Sequence, residues 1–311
     1  MLIRVENLKK VFATGVFRKR LVNAVDDVSF TISPGETLGL VGESGCGKST
    51  LARVILGLIP PSGGRIFFHG QEITTASSAE LKKVRKKMQI IFQHPESALN
   101  PRMKIYDSLV EPMRIQHLVN NHREEKKKAS ELIELVGLHK EHLSRYPHEL
   151  SGGQIQRVVL ARILSLQPEF IVADEPTSML DVSVQAQVLN LFKEIQKKFN
   201  IAYLFISHDL EVIRWMSDRV AVMYAGGIVE IGPVEKVCEN PQHPYTSMLV
   251  SAFFASENDV SKFARVTDFK VARYLSGCKF YSHCSKASNI CKKRPDLKGV
   301  EKNHFVACWQ V

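Results

Sequence analysis

The class this 311-residue sequence predicts is an α/β fold with a mainly parallel sheet, on three observations. Leu38 to Val41, Met88 to Phe92, Phe170 to Ala173 and Ala202 to Ser207 are short, mostly apolar runs, the pattern of strands buried on both faces. Apolar residues in the segments between them recur at helical spacing. Strands and helices alternate along the chain, the order that builds parallel crossover units.

Each element follows from its own residues. Val28, Phe30 and Ile32 alternate with polar neighbours, and Ser33-Pro34-Gly35-Glu36 is a turn. Leu38 to Val41 runs into a glycine-rich loop. Leu51, Val54, Ile55 and Leu58 then stand at i, i+3, i+4 and i+7 of a helix that Pro60-Pro61 stops. Residues from about 96 to 165 are mostly helical and charged, and Arg123 to Lys128 reads as a solvated helix face. After the strand at Phe170, a core-facing stripe comprises Val184, Val188, Leu191, Phe192, Ile195 and Phe199. Arg219 to Tyr224 and Ile228 to Ile231 form a hairpin around Gly226-Gly227. Composition shifts near residue 250, which divides the chain into 1–250 and a cysteine-rich, basic tail, 251–311, with little periodic pattern.

The net charge of +10 and pI of about 9.3 suit an anionic partner, whether nucleotide, nucleic acid or membrane face, or simply a solvated basic surface. There is no run of about 18 uncharged apolar residues, so no membrane span is expected. Met1 to Lys10 holds no secretory signal, which points to the cytoplasm. Of six cysteines, Cys278, Cys284, Cys291 and Cys308 fall in the tail, while Cys46 and Cys238 do not. In a reducing compartment such a cluster points to a metal site before a disulfide framework.

Three motifs carry chemistry. Gly42-Glu43-Ser44-Gly45-Cys46-Gly47-Lys48-Ser49 fits G-x-x-x-x-G-K-[ST] between a predicted strand and helix. Its glycines let backbone N–H groups turn onto phosphate oxygens at a helix start, where the partial charge favours anions. Lys48 reaches the β- and γ-phosphates, Ser49 holds Mg²⁺, and Ser44, Gly45, Gly47 and Thr50 complete the cradle. Cys46 reads as a small filler, not a nucleophile. Phe170-Ile171-Val172-Ala173-Asp174-Glu175 places Asp174 to hold the metal's water shell and Glu175 to polarise an attacking water. In Leu150-Ser151-Gly152-Gly153-Gln154, Ser151 caps the next helix, Gln154 closes a capping box, and the glycines leave backbone N–H groups open to an anion.

Together with the phosphate loop, that last segment resembles the signature motif of the ATP-binding-cassette (ABC) family, over roughly residues 1–250. The resemblance implies an ABC-type P-loop ATPase with a RecA-like, mainly parallel core, an antiparallel β subdomain, a helical subdomain at about 96–165 and a small cysteine-rich C-terminal appendage. It implies that Gln93 reaches the Mg²⁺ site and joins it to the helical subdomain. His208 would contact the γ-phosphate, sharing the catalytic work with Glu175, and Asp181 would lie in the loop crossing a dimer interface. Met179 stands where the family usually has a smaller residue. Phe12, or alternatively Phe17, would stack on adenine. ATP would be sandwiched between two subunits, so that Ser151, Gly153 and Gln154 serve the partner's nucleotide.

Gln93 to Met103 looks like the segment after the glutamine in peptide importers, and Asn240 to Thr246 like their segment closing the nucleotide domain; nickel-type relatives share both. The tail, from Gly277-Cys278 to Val306-Ala307-Cys308, resembles the C-terminal region of oligopeptide and dipeptide importer ATPases, with five, six and sixteen residues between successive cysteines. Members of that family can carry a 4Fe–4S cluster on such cysteines. Ser285 replaces a usual proline and His283 a common arginine, and neither change removes a ligand. On chemistry alone, the alternatives for four thiolates are an iron–sulfur cluster, zinc or no metal, with His283 and His304 as reserve ligands or plain surface residues.

The implied partners are a second ABC ATPase subunit (identical or paralogous), two transmembrane permease subunits and an extracellular or periplasmic substrate-binding protein, with no nucleic acid. The implied location is the cytoplasmic face of the membrane. Rival readings are a nickel or other small-solute importer and a soluble, non-transport cassette ATPase. The second would bring a coiled-coil insertion or another cassette, and the sequence has neither.

Overall fold

The computed structural model describes residues 1–14, 20–254 and 277–311. Their contacts divide into two units, Met1–Ala76 with Phe205–Val311, and Ser77–Leu204.

In the first unit, the alternation at Val28, Phe30 and Ile32 belongs to strand Arg20–Ile32, where all three are buried and Ser29 is exposed. This strand pairs antiparallel with Ile3–Thr14, which pairs with Gly63–Phe68 and that with Gln71–Glu72. A second set of strands begins with Thr37–Val41, buried throughout and parallel to Arg219–Tyr224 in the register Leu38↔Arg219. Arg219–Tyr224 forms the expected hairpin with Gly227–Pro233. Its two turn residues, Ala225 (φ 46°) and Gly226 (φ 88°), are both left-handed, as the twist of a tight hairpin demands.

The tail does not stand apart as an appendage. His304–Val306 pairs with Gly227–Pro233, and Lys298–Glu301 pairs with His304–Val306. At three and four residues these strands are too short to show a period in sequence.

In the second unit, Met88–Ile91 runs parallel to Phe170–Asp174 in the register Met88↔Phe170. Helices Ile105–Ile115, His122–Leu135, Gly152–Leu164 and Val182–Phe199 follow, after the shorter Ser78–Lys87 that precedes the first strand. Val110, Met113 and Ala129 form a small core between the first two. Arg162 ties the third helix down by donating to the carbonyls of Ser108 and Ala98 and to Glu111.

Four expectations change. Helix Lys48–Ile55 ends well before Pro60, because Gly57 (φ 62°) supplies a left-handed residue just past its end, and Leu58 is 45% exposed. Val182–Phe199 ends at the left-handed cap Asn200, which leaves Phe199 beyond the core and 47% exposed. Glu125, within the run expected to be solvated, is buried. It accepts two hydrogen bonds from Arg114, which hold its carboxyl down at about 2. His304 is likewise not a surface residue, being 2% exposed. Among the described residues no helix is long and apolar enough to cross a membrane.

Candidate functional site

In the first unit, Gly42 follows a fully buried strand and Gly47 caps the helix beginning at Lys48. The chain can make this tight loop only with glycine at its bends. Gly47 has φ 115°, and a Cβ there would lie 2.1 Å from the Ala24 carbonyl oxygen. A Cβ on Gly45 would meet nothing within 4 Å, so the crown of the loop is open. Lys48 is buried to 7% exposure. Its Nζ donates to the carbonyls of Gly42 (2.6 Å) and Glu43 (3.0 Å). It also donates to Cys46 Sγ at 3.9 Å, and an ammonium bound only to uncharged acceptors retains its full charge for an incoming anion. Burial pushes the Glu43 carboxyl up, against the pull of Lys48.

Ser44 and Ser49 are exposed and Thr50 is half-buried. Open backbone, a held cation and an exposed hydroxyl at a helix start fit a magnesium-bound polyphosphate. Burial also pushes the Cys46 thiol up, so it stays protonated and packs as a small side chain. His208 is exposed after strand Ala202–Ile206 and just before helix Leu210–Met216, whose cap is Asp209. Phe12 is 38% exposed on strand Ile3–Thr14, with Lys10 Nζ 5.0 Å from its ring. Phe17 lies outside the described residues.

In the second unit, the parallel register of Met88–Ile91 and Phe170–Asp174 delivers Gln93 and Glu175 to the same end of two strands. There Gln93 Nε2 donates to Glu175 Oε2 at 3.1 Å. Asp174, the last strand residue, is 9% exposed. Glu175 has φ 50°, a left-handed conformation that non-glycine residues seldom adopt and that clusters at functional positions.

The capping box at the start of helix Gly152–Leu164 forms in both directions. Ser151 Oγ accepts from Gln154 N–H, and Gln154 Oε1 accepts from Ser151 N–H. A Cβ on Gly153 would lie 2.4 Å from Val184 Cγ1, and one on Gly152 3.3 Å from Leu180 Cδ2. The two glycines therefore let the Ser151–Gln154 segment close on the loop that carries Asp181.

Asp181 caps helix Val182–Phe199, accepting from Val184 N–H at 3.0 Å and from the Ser183 hydroxyl at 2.8 Å. Those hydrogen bonds hold its carboxyl below the usual range. The sequence reading assigned Asp181 no capping role, although an Asp directly before a helical stripe is the ordinary cap signal. On either side of it, Met179 and Val182 are 65% and 84% exposed.

The tail brings its cysteines near one another. Cys278 N–H donates to the Cys291 carbonyl at 2.9 Å. Burial pushes the thiols of Cys278 and Cys308 up, and the charges of neighbouring cysteines reinforce the effect. Yet among the described residues no three Cys, His, Asp or Glu stand close enough together to hold a metal ion, so the geometry lends the iron–sulfur expectation no support. His283 is exposed. His304 Nε2 lies 2.8 Å from Glu230 Oε1, both side chains essentially inaccessible. The same carboxylate accepts the Gln242 and His243 N–H groups at 2.9 Å each.

Two family models match. One, described as ABC transporter, matches residues 25–178. The other, described as Oligopeptide/dipeptide transporter, C-terminal region, matches residues 229–291. The oligopeptide transport ATP-binding protein AppF of Bacillus subtilis (strain 168) is 45% identical, over 99% of this chain and 96% of that protein. The di/tripeptide transport ATP-binding protein DppF of Pseudomonas aeruginosa (strain UCBPP-PA14) is also 45% identical, over 92% of this chain and 90% of its own. Among solved structures, the dimeric ATP-binding cassette MJ0796, in a post-hydrolysis state bound to ADP and Pi, matches with a TM-score of 0.68 and 26% identity. That match covers 75% of this chain and 99% of the other.

Proposed function

From the premise that this chain belongs to the ABC transporter family, we propose that it is the ATP-binding, ATP-hydrolysing subunit that energises import of oligopeptides or dipeptides across the cytoplasmic membrane. One observation carries the hydrolytic half: the strained Glu175 at a strand end, with its carboxylate accepting from Gln93. The peptide half is supported by relatives named for oligopeptide and di/tripeptide transport that align along nearly the whole chain.

Bound Mg-ATP supplies the anhydride bond to be cleaved. Gly42, Ser44, Gly45, Cys46, Gly47 and Thr50 bind its phosphates through the loop backbone and helix start, and Lys48 neutralises them. Ser49 and Gln93 would hold the Mg²⁺, and Asp174 would orient its waters. Glu175 would accept the proton of the attacking water. His208 contacts the γ-phosphate and Phe12 stacks on the adenine. Ser151, Gly153, Gln154 and Asp181 serve the nucleotide held by a second ATPase subunit, identical or paralogous, which would also cover the exposed Met179 and Val182.

Residues 1–250 form the nucleotide-binding domain, and 251–311 an extension of peptide-transporter type. The chain works peripherally at the cytoplasmic membrane face with two permease subunits and an external substrate-binding protein. Purified with those partners in lipid, it hydrolyses ATP faster when binding protein and a short peptide are supplied, as phosphate release will measure. Stimulation by Ni²⁺ and not by peptide would transfer the chain to the metal importers.

The tail's resemblance to peptide-importer ATPases supports a 4Fe–4S cluster on its four cysteines acting as a fold staple, although no three metal-binding groups stand close together among the described residues. Protein purified without oxygen is then brown, absorbing near ~400 nm as Cys-ligated clusters do. A colourless preparation containing zinc would replace the cluster with that metal.

A further inference from the structure

The phosphate loop takes its shape from neighbours that the tail holds in place. Asp26 N–H donates to the Gly226 carbonyl at 2.8 Å, and Gly226 N–H donates to the Cys46 carbonyl within the loop, also at 2.8 Å. Gly47 lies against the Ala24 carbonyl so tightly that a Cβ would fall 2.1 Å from it, and a Cβ on Gly226 would fall 2.8 Å from the Asn23 carbonyl. Strand Arg20–Ile32, the hairpin turn and the loop thus pack backbone against backbone, which leaves little room to absorb a shift.

The tail closes on this stack from two directions. Lys279 Nζ donates to the Ala225 carbonyl at 2.7 Å and pairs with Asp26 Oδ2 at 2.6 Å. Arg294 pairs with Asp26 Oδ1 at 3.2 Å and donates to the Asp26 carbonyl at 2.9 Å. Phe280, 3% exposed, packs 5.6 Å from the Tyr245 ring and 5.4 Å from Tyr224. The Tyr245 hydroxyl in turn accepts the Glu43 N–H of the loop at 3.2 Å.

We propose that Lys279 and Phe280 are positioning residues of the nucleotide site. They hold the Gly42–Lys48 loop ready for phosphate, Lys279 through Asp26, Gly226 and Cys46, and Phe280 through Tyr245 and Glu43. The tail thereby sets the affinity of the cassette for ATP. This deepens the function proposed above and rests on its premise that Gly42–Ser49 binds nucleotide phosphate. Lys279 bonds both the strand and the hairpin turn. Without its ammonium, the contacts that align the Cys46 carbonyl lose their common anchor. Linked contacts of this kind move a distant equilibrium by a factor of about three to ten.

The test uses the full-length chain, with TNP-ATP and Mg²⁺ as probe, and the assembled transporter for turnover. Lys279→Met is expected to weaken binding about threefold to tenfold and to raise KM for ATP more than it lowers kcat. Lys279→Arg, which keeps the charge and a donor, is expected to restore most of the affinity. If Lys279→Met does not fold, Phe280→Leu carries the same expectation through Tyr245. Wild-type affinity in a folded Lys279→Met or Phe280→Leu protein overturns the proposal. So does a loss that follows the melting temperature and is not rescued by arginine. A wild-type chain that binds no TNP-ATP would instead remove the nucleotide-site reading, and this inference with it.

Discussion

Glu175→Gln abolishes ATP turnover while leaving ATP bound. The amide matches the carboxylate in size and keeps an oxygen for the Gln93 Nε2 hydrogen bond, now 3.1 Å long, so the strand-end geometry survives. What disappears is the basic oxygen that takes the proton from water, since an amide carbonyl is far too weak a base at neutral pH. Loss of a positioned general base costs about 10²–10⁴-fold in rate. Phosphate release from the assembled complex should therefore fall to background, while labelled ATP stays on the protein through rapid gel filtration. Because the strained φ of 50° is set by the chain around residue 175, the variant should also melt close to wild type. Hydrolysis near the wild-type rate would strip Glu175 of its role and leave the strand-end pair a structural contact.

Glu230→Ala produces the largest loss of stability. The carboxylate is fully buried and satisfies three donors, the N–H groups of Gln242 and His243 and the ring of His304. Removing it strands all three in the interior, where each unmade hydrogen bond costs about 1–3 kcal/mol. Breaking a buried pair from one side costs about 3–5 kcal/mol in total. A chain of this size should lose roughly 10 °C in thermal midpoint, readable by scanning calorimetry. Glu230→Gln, which keeps one acceptor, should lose less. An unchanged midpoint in Glu230→Ala would show that strand His304–Val306 is held by other means. The same variant tests whether the tail and the phosphate loop are coupled, since Glu230 anchors His304 and Lys279 approaches the loop through Asp26.

Much of the chain could be read locally. The glycines at positions 42, 45 and 47 report a loop that no other residue can make, and Ser151 with Gln154 spells a capping box that forms as written. The hairpin at Gly226 follows from two apolar runs and a turn. The failures are instructive because they lie where a local rule competed with packing. The period that took in Leu58 and Phe199 continues past the residues that end each helix, Gly57 and Asn200, since periodicity carries no information about where a left-handed residue stops it. Glu125 lies in a charged run that composition alone assigns to solvent; only the arrival of Arg114 from the preceding helix makes its burial tolerable.

By itself, then, the amino-acid order determined the strand and helix pattern, the phosphate loop, the cap at Ser151 and the identity of the chemical groups, because each depends on residues within one or two turns of one another. The tertiary structure alone decided that Gln93 meets Glu175 across 82 positions, that His304 is buried against Glu230 across 74, that Glu43 leans on Tyr245 across 202, and that the cysteine tail joins a sheet. Such contacts carry no local signature, since they form only after the backbone has been folded and their distant partners have been desolvated together.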